Sequence, residues 1–411
     1  MKIVHIITRL IVGGAQENTL FTCEGLHDRG HDVTLITGPS YGPEGQLVQR
    51  ARSAPYRYLE IPLLRRAINP LHDLRTLRQL KKLLAQLDPD IVHTHSAKAG
   101  IIGRYAAYNL RQRAAETCCP ATRALRTAQL NTCGRPRIIH TIHGLAFHPY
   151  QSNLLNRLYI AVERRAARRT DAFISVADAM TDQALAAGIG QPNQYHTIRS
   201  GLEVDTFLNP PSPQQTATLR QQLNLPPDAL VVASVARLFH LKGHEFIIDA
   251  AKKLAPNHPN LYWLFVGDGS LRPQIEQQIA QANLTDRFRL TGLVPPSRIP
   301  ALLHASDILV HCSLREGLAR TLPQALLAGK PVVSFDVDGA REVVLNNKTG
   351  FLVPPRNIHT LTHALAQLID QPDLRQRLGH TGRQRCQQAF DHRLMVDQIL
   401  TLYHQQLPQT S

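Results

Sequence analysis

Leu230-Val231-Val232-Ala233-Ser234-Val235-Ala236-Arg237-Leu238, followed after a short turn by Lys242-Gly243, opens the stretch that decides the fold. Its apolar run reads as a strand buried on both faces of a parallel sheet, and it delivers Arg237 and Lys242 at its exit. Two more strand-to-turn units follow, Phe265-Val266-Gly267-Asp268-Gly269 and Leu290-Thr291-Gly292-Leu293-Val294. The stretch then reaches Arg315-Glu316-Gly317-Leu318, a helical segment from Leu322 to Ala328, Gly329-Lys330-Pro331-Val332-Val333, and finally Glu342. This is a βα repeat, and ligands of open parallel sheets sit beyond the carboxyl ends of the strands. Cations, carboxylates and turn amides collected at that edge suit a ligand that is anionic and hydroxylated, of which a sugar nucleotide is one example.

A chain of 411 residues is too long for one ordinary core and predicts about two domains. Toward the N-terminus, Lys2 to Thr8 is a further apolar strand, and Gly13-Gly14 separate it from a helix starting near Glu17. Paired glycines there let backbone N–H groups approach a phosphate, although a tight turn alone would also use them. The dinucleotide fingerprint G-x-G-x-x-G is not met, and the second strand, His31 to Thr37, ends without the ribose-binding acid, which disfavours a nicotinamide site. Later strands are expected at Tyr56 to Leu63, within Asp88 to Ser96 together with its exit turn, Arg137 to Gly144 ending in His143 and Gly144, Asp171 to Val176, and Tyr195 to Arg199. Pro210-Pro211-Ser212-Pro213 marks a linker. Val332 to Phe335 reads as the final core strand, and helices are expected over 358–369, 374–390 and 393–406.

These motifs, in this order, resemble the family 4 retaining glycosyltransferases of the GT-B fold. The resemblance implies an α/β protein of two Rossmann-like domains facing across a cleft. Residues 1–205 would form the acceptor side, 206–390 the nucleotide-sugar donor side, and 391–411 a helix crossing back to the first domain. It implies that Gly13 and Gly14 face the donor diphosphate and acceptor, and that His143 contacts the donor sugar near the reacting carbon. Arg237 and Lys242, five apart, would converge on a phosphate, with a planar fork from one and a point charge from the other. Glu316 would bind a sugar hydroxyl. Leu293 and Val294 would hold the base, and Gly267 and the backbone N–H groups of Glu316, Gly317 and Leu318 would complete the donor site. The family places a second glutamate eight residues after the first; here that position is Gln324, a departure from the pattern.

The activity so implied is transfer of a hexosyl group from a nucleotide sugar, a UDP-sugar in the first instance, to a lipid-linked or polysaccharide acceptor in cell-envelope glycan synthesis, lipopolysaccharide included. The resemblance implies that no cofactor or metal is needed and that transfer proceeds with retention and without a covalent enzyme intermediate. Two alternatives keep the fold: a nucleotide-sugar epimerase or phosphorylase, and a non-catalytic partner subunit, the latter motivated by Gln324.

The formal charge of +15 is uneven: the first 200 residues hold 26 Lys/Arg against 14 Asp/Glu, the remainder 20 against 17. Such a surplus suits an anionic membrane surface or substrate, or simply solvated helix faces. The helical pattern from Leu71 to Leu87, with Leu74, Leu77, Leu80, Leu84 and Leu87 on one face and Arg75, Arg78, Lys81 and Lys82 elsewhere, fits either a membrane contact or a core stripe. Nucleic acid is disfavoured, because aromatic residues are only 5% and no stacking platform is evident. No run of about 18 apolar residues exists, and Met1-Lys2-Ile3-Val4 begins as a strand. The chain therefore reads as cytoplasmic, peripheral on the inner face of a membrane. Cys118, Cys119, Cys133 and His140 lack the C-x2-C spacing of a zinc site, and the Cys- and Arg-rich segment 111–137 reads as a surface excursion.

Overall fold

A computed structural model describes residues 1–41, 47–118 and 135–407 of the chain, which divides into two compact units. Met1–Gly201 together with His392–Ser411 make the first, and Leu202–Asp391 the second.

The first unit is built on seven parallel strands: β1 (Lys2–Ile7), β2 (Asp32–Thr37), β3 (Arg57–Glu60), β4 (Ile91–His95), β5 (Arg137–Ile142), β6 (Ala172–Ser175) and β7 (Tyr195–Thr197), in the order β3-β2-β1-β4-β5-β6-β7. Alternation of side chains sends Ile3, Ile7, Val33, Leu35, Ile139 and Ile174 to one face, where they meet Leu20 and Leu26 of helix Gly14–Asp28 and Val396 and Ile399 of helix His392–Gln406. Val4, Ile6, Ile36, Val92 and Ile138 go to the other face, against Leu80 and Leu84 of helix Pro70–Leu87. Each such side chain contributes about 1.5–3 kcal/mol on burial, so both faces are committed to core.

Six parallel strands form the second unit: β8 (Leu230–Val235), β9 (Leu261–Val266), β10 (Phe288–Leu290), β11 (Ile308–His311), β12 (Val332–Phe335) and β13 (Gly350–Val353), in the order β10-β9-β8-β11-β12-β13. The strand order reverses direction between β1 and β4 in one sheet and between β8 and β11 in the other. Crevices at such switch points are where open α/β sheets hold ligands.

Several expectations change. Val332–Phe335 is not the last strand, because Gly350–Val353 adds beside it; a Cβ at Gly350 would lie 2.0 Å from Val332 O, which is why a glycine starts that edge strand. The unit boundaries fall at Gly201 and Asp391 rather than 205 and 390. The reason is local: Leu202 N–H donates to Phe390 O at 2.7 Å, and helix Val204–Leu208 is tied to the second unit by His304 Nε2 on Phe207 O at 2.9 Å. The C-terminal helix lies in the first unit, where Gly25 makes room for it; a Cβ there would sit 2.8 Å from Val396 Cγ2. Arg29 Nε donates to Asp397 Oδ1 at 2.9 Å across the same packing.

The leucine stripe of Pro70–Leu87 divides along its length. Leu80 and Leu84 are core, whereas Leu71 and Leu74 at its start are exposed together with Ile68. Part of the basic surplus is structural: Arg104 pairs with Glu163 and Arg111 with Asp171, both at the core edge. Cys119 and Cys133 lie outside the described residues; His140 is buried with its Nδ1 2.9 Å from Thr94 Oγ1.

Candidate functional site

The exits of β8 and β11 converge at the second switch point. Leu241 has φ +68 and Gly243 has φ +74, so the chain leaving β8 folds back against the end of β11. Leu241 O accepts from Leu314 N–H at 2.8 Å and from Ser313 Oγ at 3.0 Å. A Cβ on Gly243 would stand 2.0 Å from Cys312 O, so only glycine allows the approach. This clamp sets Lys242 beside the β11 exit, where its Nζ pairs directly with Glu316 Oε1. His311 Nε2 lies 3.6 Å from the same oxygen.

Burial by itself would raise the Glu316 carboxyl pKa, but the Lys242 ammonium and His311 outweigh it and hold the carboxyl well below the usual range. Glu316 is therefore an ionised acceptor. Its backbone N–H donates to Asp338 Oδ2 at 2.7 Å, and Gly317 O accepts from Gly339 N–H at 3.3 Å, which pins the loop. His244, at the start of the helix after Lys242-Gly243, is kept neutral: burial first, then Lys242 and His311, bring its pKa down to about 4.

The turns beyond β8 and β9 are zipped together. Leu238 N–H donates to Asp268 O at 3.0 Å, and Leu271 N–H donates to Leu238 O at 2.9 Å. Gly267 has φ +139, and a Cβ there would meet Ala236 O at 2.2 Å. Close backbone approach thus accounts for Gly267. Gly292 pairs with it in an isolated bridge, leaving Leu293 exposed and Val294 half-buried just beyond.

The other expected donor residues land as follows. Arg237 is exposed on the β8 exit with its guanidinium 5.1 Å from the Phe239 ring centroid. Lys242, on the same strand exit, contacts the Glu316 carboxylate in this structure. The Glu316 N–H, expected to face the ligand, is committed to Asp338. Gly317 and Leu318 are buried ahead of helix Thr321–Leu327, on which Gln324 is half-buried.

In the first unit, register places five polar side chains on one face near the β1/β4 switch. His5 pairs with His93 across β1 and β4, and His95 with Thr141 across β4 and β5; His143 follows two residues later. His5 Nδ1 is 3.0 Å from His95 Nε2, and His95 Nδ1 is 3.1 Å from His143 Nε2. His93 binds Tyr403 OH at 2.6 Å and Thr141 Oγ1 at 2.7 Å. Burial keeps His5, His93 and His95 neutral, with His5 down to about 3 and the other two well below the ordinary value. Among the described residues, His5, His93 and His95 also form a cluster compact enough for a metal, but both ring nitrogens of His93 and of His95 already have partners.

Gly13 sits at the β1 exit with an extended φ of 177, and a Cβ would meet only Gln16 Oε1, the mobile end of a side chain. Backbone strain therefore does not require a glycine at that residue, which lies in the bend between β1 and helix Gly14–Asp28. His311, His244, Asp338, His5, His93 and His95 were not singled out from the sequence. The signal for the last three was present as period-two histidines in β4 and a histidine inside an apolar β1.

Residues 13–201 match the family model "Glycosyl transferase 4-like domain" and residues 215–385 match "Glycosyl transferases group 1". The UDP-Gal:alpha-D-GlcNAc-diphosphoundecaprenol alpha-1,3-galactosyltransferase of Escherichia coli is 28% identical over 406 residues, covering 98% of this chain and 96% of the relative. The 2-deoxystreptamine glucosyltransferase of Streptomyces kanamyceticus is 31% identical over 238 residues, covering 56% and 61%. Anabaena HepE in complex with UDP-glucose superposes with a TM-score of 0.79 at 21% identity, over 98% of this chain and 100% of that one, a likeness of fold. With each half matched by its own family model and two parallel-sheet Rossmann-like units in common with GT-B structures, the chain belongs to the group 1, family 4-like glycosyltransferases of the GT-B fold.

Proposed function

We propose that this enzyme transfers a hexosyl group from a UDP-sugar to a lipid-linked acceptor in cell-envelope glycan synthesis, with retention at the anomeric carbon and without a metal. The observation that carries the reading is the Lys242–Glu316 pair at the β8/β11 switch, an ammonium and an ionised carboxylate held side by side. The carboxylate accepts hydrogen bonds from donor-sugar hydroxyls, and the ammonium, with Arg237, meets the charge that grows on the departing diphosphate. The bond from the anomeric carbon to the diphosphate oxygen breaks, the bond to the acceptor oxygen forms on the same face, and the acceptor proton passes to the diphosphate. The two cations supply the charge a metal would otherwise bring. Support for the UDP-sugar and the diphospholipid acceptor comes from the name of the full-length Escherichia coli relative.

A membrane surface suits such an acceptor. No helix among the described residues is long and apolar enough to cross a membrane. The first unit exposes Leu154, Leu158 and Val162 along one face of helix Asn153–Ala167, beside Arg157 and Arg165. Apolar side chains flanked by cations fit interfacial binding to anionic lipid.

The test is incubation of the purified enzyme, with EDTA present, against UDP-, GDP- and ADP-sugars, reading donor hydrolysis and thermal stabilisation, then transfer to a sugar-diphosphoprenol. Hydrolysis and transfer from one UDP-sugar support the reading. Inertness toward all UDP-sugars, or activity abolished by EDTA and restored by magnesium, overturns it.

A further inference from the structure

Three imidazoles run in a hydrogen-bonded line from the interior of the first sheet to the exit of β5: His5 Nδ1 to His95 Nε2 at 3.0 Å, then His95 Nδ1 to His143 Nε2 at 3.1 Å. His5 and His95 are fully buried and His143 is half-buried at the end of the line. A neutral imidazole carries one proton, so in each link one ring donates and the other accepts, and the direction chosen at one end propagates to the other. The inner end decides it. His5 Nε2 is buried with no hydrogen-bond partner among the described residues. An orphaned buried N–H is rarer in proteins than an orphaned lone pair, so the His5 proton belongs on Nδ1, where it has an acceptor.

From His5 Nδ1–H outward, His95 Nε2 accepts, the His95 proton therefore sits on Nδ1 and donates to His143 Nε2, and the His143 proton is left on Nδ1. We infer that the line His5–His95–His143 locks His143 as its Nδ1–H tautomer, so that it meets substrate as a neutral hydrogen-bond donor, and that His5 and His95 are positioning residues for it. Burial supports the single-proton count by keeping His5 and His95 uncharged. The consequence for turnover rests on the proposed transfer reaction and on His143 touching substrate; the tautomer itself rests on neither. A donor locked at that place suits an oxygen of the donor sugar and would leave a substrate hydroxyl proton without an acceptor there.

The experiment is nitrogen-15 NMR of the full-length protein labelled at histidine, which distinguishes protonated from bare ring nitrogens. The expected result is a protonated Nδ1 and a bare Nε2 on both His5 and His143. His95→Leu removes the link, and His143 then shows a mixture of tautomers; His95→Asn, whose amide nitrogen stands where Nδ1 stood, keeps the lock. In turnover with the active sugar nucleotide, His95→Leu lowers kcat about tenfold with little change in donor KM, and His95→Asn returns it to within about threefold, the size of effect one hydrogen bond carries. Thermal unfolding of each variant, with His5→Phe as a second break in the line, separates loss of fold from loss of the lock. A protonated Nε2 on His143, an unchanged tautomer in folded His95→Leu, or stoichiometric zinc in the purified protein displacing these protons overturns the inference. An intact tautomer lock with every sugar nucleotide inert supports it and refutes the transfer reading instead.

Discussion

Lys242 Nζ and Glu316 Oε1, 74 residues apart in the chain, are in direct contact across the exits of β8 and β11. The two side chains have separate tasks in the proposed reaction. Lys242→Met should weaken binding of a nucleoside diphosphate by roughly ten- to hundredfold, the range set by a charge-assisted bond of about 1.5–3 kcal/mol. Glu316→Gln should leave nucleoside diphosphate binding within about threefold while cutting kcat with the sugar nucleotide, because its partner is a sugar hydroxyl. Calorimetric titration alongside steady-state kinetics checks both; equal loss of nucleotide affinity in the two variants counts against the division of roles.

Gln324 stands in helix Thr321–Leu327, eight residues after Glu316, where the family pattern has glutamate. A neutral hydrogen bond contributes about 1 kcal/mol and a charged one about 1.5–3 kcal/mol, so Gln324→Glu should tighten nucleotide binding about three- to tenfold. Titration of the variant with UDP reads this, and an unchanged Kd means the departure is silent.

Gly243 occupies φ +74 with Cys312 O 2.0 Å from where a Cβ would stand. Gly243→Ala should destabilise the second unit by at least about 1–3 kcal/mol of backbone strain, plus the cost of pushing the β8 exit off β11. Denaturant unfolding should show the loss, and nucleotide affinity should fall with it because Lys242 moves.

Acid should unfold the protein early. An unfolded histidine titrates near 6.5, whereas His5 is held down to about 3 and His244 to about 4. Between those values the unfolded chain binds more protons than the folded one, so stability present above about pH 6.5 is lost as pH falls toward the folded pKa values, at about 1.4 kcal/mol per pH unit for each such group. Glu316 adds to the same trend at lower pH, because its depressed carboxyl contributes stability above the unfolded pKa that disappears below it. Unfolding midpoints from pH 7.5 to 4.5 check the slope, and His244→Phe should reduce it by one proton.

Leu154, Leu158 and Val162 are exposed at helical spacing. Replacing all three with serine should reduce co-flotation with vesicles containing anionic lipid by tenfold or more at low salt and leave unfolding midpoints nearly unchanged, since exposed apolar groups stabilise little. Equal flotation of variant and parent places the membrane contact elsewhere or removes it.

The α/β repeat was legible because buried parallel strands advertise themselves as short apolar runs, and most of their positions hold to within a few residues. Ile308–His311 and Gly350–Val353 escaped because strands of four residues carry little pattern of their own. The exposure of Leu71 and Leu74 also escaped: a leucine stripe of one periodicity ended with Leu80 and Leu84 in the core and Leu71 and Leu74 in solvent.

The chain's own order of residues determined the two-domain βα architecture and put Arg237, Lys242 and His143 at strand ends, because hydrophobic periodicity and turn residues act over a few positions. Only the tertiary structure decided that Lys242 pairs with Glu316, that Asp338 takes the Glu316 N–H, and that His5 and His95 stand in line behind His143. Those contacts span tens of residues and hinge on strand order, since a parallel sheet reversing direction between β1 and β4, or β8 and β11, makes neighbours of strands that the sequence keeps far apart.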